Sequence, residues 1–304
     1  MKGIDDDGLS PFLAATGFRL VRCNDCHVIN NHIYHVITGI KSESAAPSFG
    51  DGTSIIDNRI VGVDFGIVGD QSVVNAWMAV YGNHINAYRS GIVVSNLAYT
   101  PIRDNLIFKT NPSLETNWKG IELVDGLAVV VAGNQIAMPG TAGVTTNFGI
   151  YLDGGQRSTV TENQFHNTTS TFYGIYLTDG ATLNTIAFNR ASSEVDAIIG
   201  SSGTEGAGNF IYANWPVAIY STFASLDTTP SVKLEQGGLF KTANAGATSI
   251  TDFDDAFEGQ TFELQINDAN TTLVHSANLV LKDAVNVLVR AAASCSSAIW
   301  AATG

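Results

Sequence analysis

The stretch Asn134-Gln135-Ile136, then Gly149-Ile150-Tyr151-Leu152-Asp153-Gly154, then Asn163-Gln164-Phe165, then Gly174-Ile175-Tyr176-Leu177-Thr178-Asp179-Gly180 is one motif written twice. An asparagine step is followed by a glycine–isoleucine step. Working outward, the asparagine half recurs as Asn31-His32-Ile33, Asn58-Arg59-Ile60, Asn83-His84-Ile85 and Asn105-Leu106-Ile107, and decays to Asn189 and Asn214. The glycine half recurs as Gly39-Ile40, Gly66-Ile67, Gly91-Ile92 and Gly120-Ile121, and decays to Ala197-Ile198 and Ala218-Ile219. A period of about 21 to 29 residues, with strand formers between turn formers, marks a solenoid. No segment carries the i, i+3, i+4 apolar stripe of a helix. The pattern predicts an all-β chain, a parallel β-helix of about eight coils, with one tag pair per coil. Each asparagine is expected at a turn, in left-handed backbone, bonding its neighbours in a ladder. The glycine is expected to mark the next corner, and the isoleucines to stack inward.

Composition agrees with that reading. The 304 residues are 45% hydrophobic but only 14% charged, which is too few for the polar faces of an α-helical protein. A net charge of −13 argues against a nucleic-acid partner. It also disfavours a strongly anionic polymer as ligand, unless a local basic patch overrides it. There is no transmembrane run and no secretory leader, so no membrane insertion is expected. An extracellular role would then need release by lysis or assembly into a particle. The three cysteines do not make a disulfide framework. Cys23-Asn24-Asp25-Cys26-His27 formally matches a haem-attachment pattern, but it reads better as part of a coil with small cysteines turned inward.

Along the chain, residues 1–16 form a lead-in, residues 17–223 the coils and residues 224–247 a transition punctuated by Pro230 and Gly237-Gly238. Short strands are expected at 260–266, 271–274 and 277–281, with a turn at Asp268-Ala269-Asn270, as a second and antiparallel module. Insertions at 109–118 and 139–147 interrupt the same arc of the coil and should stack on one side.

These residues resemble bacteriophage tailspikes. The tags are similar to the right-handed β-helix those proteins share with pectate-lyase-like proteins. The segments Thr248-Ser249-Ile250-Thr251-Asp252-Phe253, Glu258-Gly259-Gln260, Asn270-Thr271-Thr272-Leu273-Val274-His275 and Leu279-Val280-Leu281 are similar to the β domain that closes many tailspikes. The chain departs from that pattern in two ways. No particle-binding head domain precedes the coils, and residues 288–304 lack the expected aromatic closing strand. The resemblance implies a homotrimer, a trimerisation-type domain at 248–304, a place in the virion or outside the cell, and binding or cleavage of a bacterial surface polysaccharide (capsule, O-antigen or exopolysaccharide).

The chemistry expected on the coils follows from strand alternation. With isoleucine inward, the next residue points out, giving a ladder Lys41, Val68, Val93, Glu122, Tyr151, Tyr176, then Ile199 and Tyr220. Exposed tyrosines offer sugar rings a flat platform with a polar edge; the competing reading is ordinary stacking, or burial against another subunit. A carboxylate row follows at Asp70, Asp125, Asp153 and Asp179. Asp-Gly is also a turn signal, so a purely structural row stays open. Two carboxyls about 5 Å apart suit retaining hydrolysis, and about 6.5–9.5 Å apart inverting hydrolysis. Crowded acids would raise one another's pKa, as a general acid requires. The first pair is Glu122 with Asp153; Asp125 and Asp179 are the reserves. Tyr151, Tyr176, Trp118 and Arg157 are the expected substrate-binding residues. The reaction class stays open, with endo-hydrolysis first, an eliminating lyase using Arg157, Arg103 or Lys119 second, and a non-catalytic adhesin third. A second outward ladder holds His32, Arg59 and His84, and His166 and Glu162 flank Asn163. No metal-ligand spacing, phosphate loop or nucleophile elbow is present, and no cofactor is expected.

Overall fold

An amide side chain held inside a stack of strands can bond the chains above and below it, and that is how these coils are fastened. The computed structural model describes residues 15–44, 52–71, 77–109, 117–138, 146–167, 172–178, 180–192, 197–202, 208–212, 214–215, 221–232, 239–256, 260–288 and 298–301. In it Asn58 Oδ1 accepts from both the backbone N and Nδ2 of Asn31, each at 3.0 Å. The same double bond repeats up the file through Asn83, Asn105, Asn134, Asn163, Asn189 and Asn214. The ladder therefore runs past the point where the sequence tag decays.

Two corner expectations need correction. The left-handed residue is not the asparagine but the one before it: Asn30, Asp57, Gly82, Asp104, Gly133, Glu162 and Phe188 all have φ between 54° and 66°. The asparagine must aim its amide into the stack, so the preceding residue takes the bend. The tag glycines are likewise not corners with special φ. Gly120 lies within the strand Lys119–Val124, where a Cβ would stand 2.5 Å from the Gly149 carbonyl oxygen and 2.6 Å from Ile136 Cγ2. Close approach of the neighbouring coil selects glycine there.

The coils build a 13-stranded sheet and an eight-stranded sheet, joined by parallel pairing throughout. The eight-stranded sheet takes one strand per coil, from His27–Ile29 to Phe210–Tyr212, so the solenoid has about eight turns. In the larger sheet Arg59–Gln71 and His84–Ser95 span both tag halves, whereas other coils split into pairs such as Leu106–Lys109 and Lys119–Val124. Ile40, Ile67, Ile92, Ile121, Ile150 and Ile175 face Ile55, Ile102, Val131, Val160 and Ile186 in one fully buried core. Each such side chain contributes roughly 1.5–3 kcal/mol on burial. A second polar file, absent from the sequence reading, fastens another corner: Ser158 N donates to Asn184 Oδ1 at 2.8 Å, and Asn184 N to Asn209 Oδ1 at 3.1 Å.

The insertions leave from stacked strands, because Leu106 pairs with Gln135 and Gln135 with Gln164. The chain returns at Lys119–Val124, Asn147–Asp153 and Phe172–Leu177, again stacked. The bodies of both loops lie outside the described residues.

The C-terminal region differs from the antiparallel module expected. Ser221–Thr222, Leu239–Lys241 and Thr261–Gln265 pair in parallel, as do Thr248–Ile250 and Thr271–Leu273. Among the described residues only Val287–Leu288 and Ala298–Ala301 add antiparallel strands, and residues 277–281 form none. The last of these strands sets Trp300 in register with Phe262. Alternation with period two cannot distinguish parallel from antiparallel partners, which is why the sequence misled. A separate core, with Phe223, Phe240, Phe253 and Phe262 in ring contact, underlies this region. Cys23 and Cys26 form a disulfide instead of two independent inward fillers. The left-handed residues Arg22 and Asp25 fold the corner so that the two thiols meet.

Candidate functional site

The outward ladder forms as the alternation requires, and Glu122, Tyr151 and Tyr176 are successive Cα partners. Below them stand Lys41, Val68 and Val93. Above Tyr176 the partner is Gly200, not Ile199, which is buried beside Ile175. The coil is one residue out of step with its decayed tag, so the sequence placed Ile199 on the wrong face. Tyr220 and Asp179 lie outside the described residues.

Two further rings join the tyrosines. Strand pairing sets Phe148 beside Tyr173 on the file next to the ladder, in line with Lys119. Tyr151 and Tyr176 stack at 5.9 Å and 9°, and Phe148 and Tyr173 at 6.1 Å and 18°. Phe148 touches Tyr151 and Tyr176 at 5.0 and 4.7 Å, locking the two files together. The three tyrosines are half-buried, so one face of the cluster meets solvent. Phe148 and Tyr173 stand two positions before the inward isoleucine, where strand alternation predicts an inward side chain, so no spacing rule pointed to them.

At the lower edge of this platform Lys119 makes a short ion pair with Glu122 and sits 4.2 Å from the Tyr151 ring centre. Glu122 thus faces a cation, not a second acid. Asp153 lies on the same outward face one coil up, two residues beyond the Glu122 partner Tyr151. Strand geometry places the two backbones roughly 8 Å apart along that diagonal. Asp153 Oδ1 accepts from Thr178 Oγ1 at 2.9 Å.

The carboxylate row is not continuous. Asp70 pairs with Ser95, Ser95 with Val124, and Val124 with Asp153, so Asp70 is three coils from Asp153. Asp125 belongs to the adjoining left-handed corner, in file with Asn96, Gly154 and Gly180. Its carboxylate lies over Gly154, as those of Asp25, Asp57 and Asp104 lie over Gly52, Gly82 and Gly133. Four aspartates in one arrangement support a corner role for Asp125. Trp118 is fully buried against Phe172, with ring centres 6.5 Å apart, and offers no surface to a sugar. It precedes the outward Lys119, and alternation turns it inward; its Nε1 has no hydrogen-bond partner among the described residues. Arg157 is exposed but occupies the next left-handed corner with Tyr99, Ala128 and Leu183, away from the tyrosine strands.

The second ladder is also real: His32, Arg59, His84, Leu106, Gln135, Gln164 and Arg190 are successive partners, and Trp215 bridges to Arg190. Burial, and then the adjacent Arg59 charge, hold the His84 pKa below its usual value. Its ring meets Phe108 at 5.7 Å.

Comparison with protein families now has a geometry to rest on. The model of a family described as periplasmic copper-binding protein (NosD) matches residues 9–215, which are the coils and little else. The chain belongs to this family. No curated protein matches it. The NosD description raises copper, and the donor set can be tested for it. Soft thiolate and imidazole donors suit that metal. Here the two nearest thiols, Cys23 and Cys26, are bonded to each other. Along the second ladder His32 and His84 are separated by the coil that carries Arg59. Among the described residues no three His, Cys, Asp or Glu side chains converge. These residues do not fit a copper centre, and no chemistry is derived through one. No helix among the described residues is long and apolar enough to cross a membrane.

Proposed function

We propose that this chain is a tailspike-like β-helix that binds a bacterial surface polysaccharide along the tyrosine face and hydrolyses it with Glu122 and Asp153. The observation that carries this reading is the stacked Tyr151–Tyr176 pair, backed by the buried Phe148, widened by Tyr173 and ending at a Lys119–Glu122 ion pair. Flat, half-exposed rings with phenolic edges suit pyranose faces, and the charged pair suits their hydroxyl groups. Glu122 and Asp153 share that outward face on adjacent coils, at a backbone spacing compatible with an inverting pair. In the reaction one carboxyl group protonates the leaving glycosidic oxygen as the C–O bond breaks. The other takes a proton from the water that attacks the anomeric carbon from the opposite side.

Lys119 favours a second reading. Released from Glu122 as the neutral amine, Lys119 would take the proton α to the carboxylate of a uronic sugar while the glycosidic oxygen at the β carbon leaves, which would make the protein an eliminating lyase. A homotrimer and a place outside the cytoplasm belong to the proposal as well. The NosD description names the periplasm, and the tailspike resemblance a virion or extracellular setting; both lie where such polysaccharides are found.

The test is incubation with a panel of capsules and O-antigens, read by mass spectrometry and reducing-end assay. New reducing ends without an unsaturated sugar support hydrolysis, and Glu122→Gln should then abolish turnover while keeping binding. An unsaturated product replaces hydrolysis with elimination. Binding without turnover leaves a glycan adhesin, and absence of binding removes the proposal. Light scattering of the purified chain reads the trimer.

A further inference from the structure

The upper end of the second ladder carries a site that the tyrosine platform does not use. A groove open to solvent is lined by Gln164, Phe165, His166, Arg190, Ser192 and Trp215. Three consecutive coils supply its wall, because Gln164 pairs with Arg190 and Arg190 bridges to Trp215. Phe165 is fully buried and forms the floor, while Gln164, His166, Arg190 and Trp215 are exposed, Trp215 by 53%. Among the described residues the side chains of Gln164, His166 and Arg190 meet no hydrogen-bond or ion-pair partner. Among the described residues no carboxylate lines the groove. On a chain of net charge −13 this is a local concentration of donors with one fixed positive charge.

We infer that this groove is a subsite for a carboxylate-bearing sugar residue, with the Arg190 guanidinium on the carboxylate, the Trp215 indole against the ring face, and Gln164 and His166 on hydroxyl groups. The planar guanidinium fork matches a carboxylate in a way an ammonium does not. An exposed indole two coils above an amide gives the apolar face and polar edge that a pyranose requires. The inference rests on the glycan-binding reading above and narrows it to an acidic polysaccharide, with the basic patch overriding the unfavourable overall charge locally.

The probes are methyl glucuronoside and methyl glucoside at millimolar concentration, read by saturation-transfer NMR. Polygalacturonate and its carboxyl-reduced counterpart, read by calorimetry, test the longer chain. The uronoside should bind more tightly than the glucoside, and only the uronoside's binding should depend on Arg190. Arg190→Ala should weaken uronoside binding roughly ten- to a hundredfold, the loss expected for one charge-assisted contact. Arg190→Lys should recover only part of it, and Trp215→Ala should weaken it too, with unchanged thermal melting because both side chains are exposed. The loss caused by Arg190→Ala should persist in a Tyr151→Ala/Tyr176→Ala background. Equal binding of both monosaccharides, no binding of the uronoside, or binding indifferent to Arg190→Ala overturns the subsite. Polymer binding that depends on the tyrosines but not on Arg190 would leave the platform standing while the subsite falls. The reverse dependence removes the platform and keeps the subsite.

Discussion

Asn134→Ala cuts the central rung of the asparagine ladder, and its cost can be worked from the bonds it removes. The Asn134 amide is fully buried. Its Oδ1 accepts from Asn105 N at 3.0 Å and Asn105 Nδ2 at 2.9 Å. Its Nδ2 donates to Ile102 O and Asn163 Oδ1, both at 2.9 Å, and to Ala132 O at 3.2 Å. Some of these groups keep other partners: Asn105 Nδ2 still reaches Val80 O and Arg103 O, and Ala132 O still accepts from Asp104 N. The Ile102 carbonyl keeps the ladder bond of its parallel pairing, but the buried Asn105 N–H is left without its acceptor. An abandoned buried group costs about 1–3 kcal/mol, so the variant should lose at least about that much. Asn31→Ala is the internal control. That residue is half-buried at the end of the file, where water can replace its bonds, and its loss should be below about 1 kcal/mol. Urea unfolding followed by circular dichroism gives both values from the midpoint and slope. If Asn134→Ala shifts the midpoint no further than Asn31→Ala, the asparagine file does not hold the coils together and the reasoning is wrong.

Other outcomes follow from the same geometry. Gly120→Ala places a Cβ against the Gly149 carbonyl and should cost about 1–3 kcal/mol or more, seen as a lower melting temperature. Tyr151→Ala/Tyr176→Ala should weaken retention on a polysaccharide affinity gel while leaving the far-ultraviolet spectrum unchanged, because these rings lie outside the core. Burial acts to raise the Asp268 pKa, but hydrogen bonds from Thr242, Asn244, Thr271 and Asn270 outweigh it and hold the carboxyl below its usual value. The stability it adds is therefore present above the ordinary carboxylate pKa and is lost as pH falls through the lowered one. Asp268→Asn should be less stable than the parent at neutral pH, with the gap closing in acid; a gap constant with pH would show that the charge is not what matters.

Much of this protein was legible before any coordinates. Parallel strands in register repeat the same inward and outward positions at every turn, so a tag in the sequence becomes a column in space. Asn31 to Asn163 and Ile40 to Ile175 could be read in that way, as could the juxtaposition of Glu122, Tyr151 and Tyr176. The rule fails at corners and where the tag decays. At a corner the side-chain direction depends on which residue takes the left-handed bend, so Asp125 and Asp153 fell on different files although both belong to Asp-Gly pairs.

By itself, then, the sequence determined the coil, its core and its principal outward column, because periodicity and strand alternation are local properties. Tertiary structure decided what the columns have for neighbours. It buried Trp118, joined Phe148 and Tyr173 to the platform, moved Gly200 into the place expected of Ile199, and paired Cys23 with Cys26. It also brought Gln164, Arg190 and Trp215 to one groove in coils whose motif had faded. Those contacts depend on exact register and on residues distant in the chain, which no spacing rule records once the repeat has lost its marks.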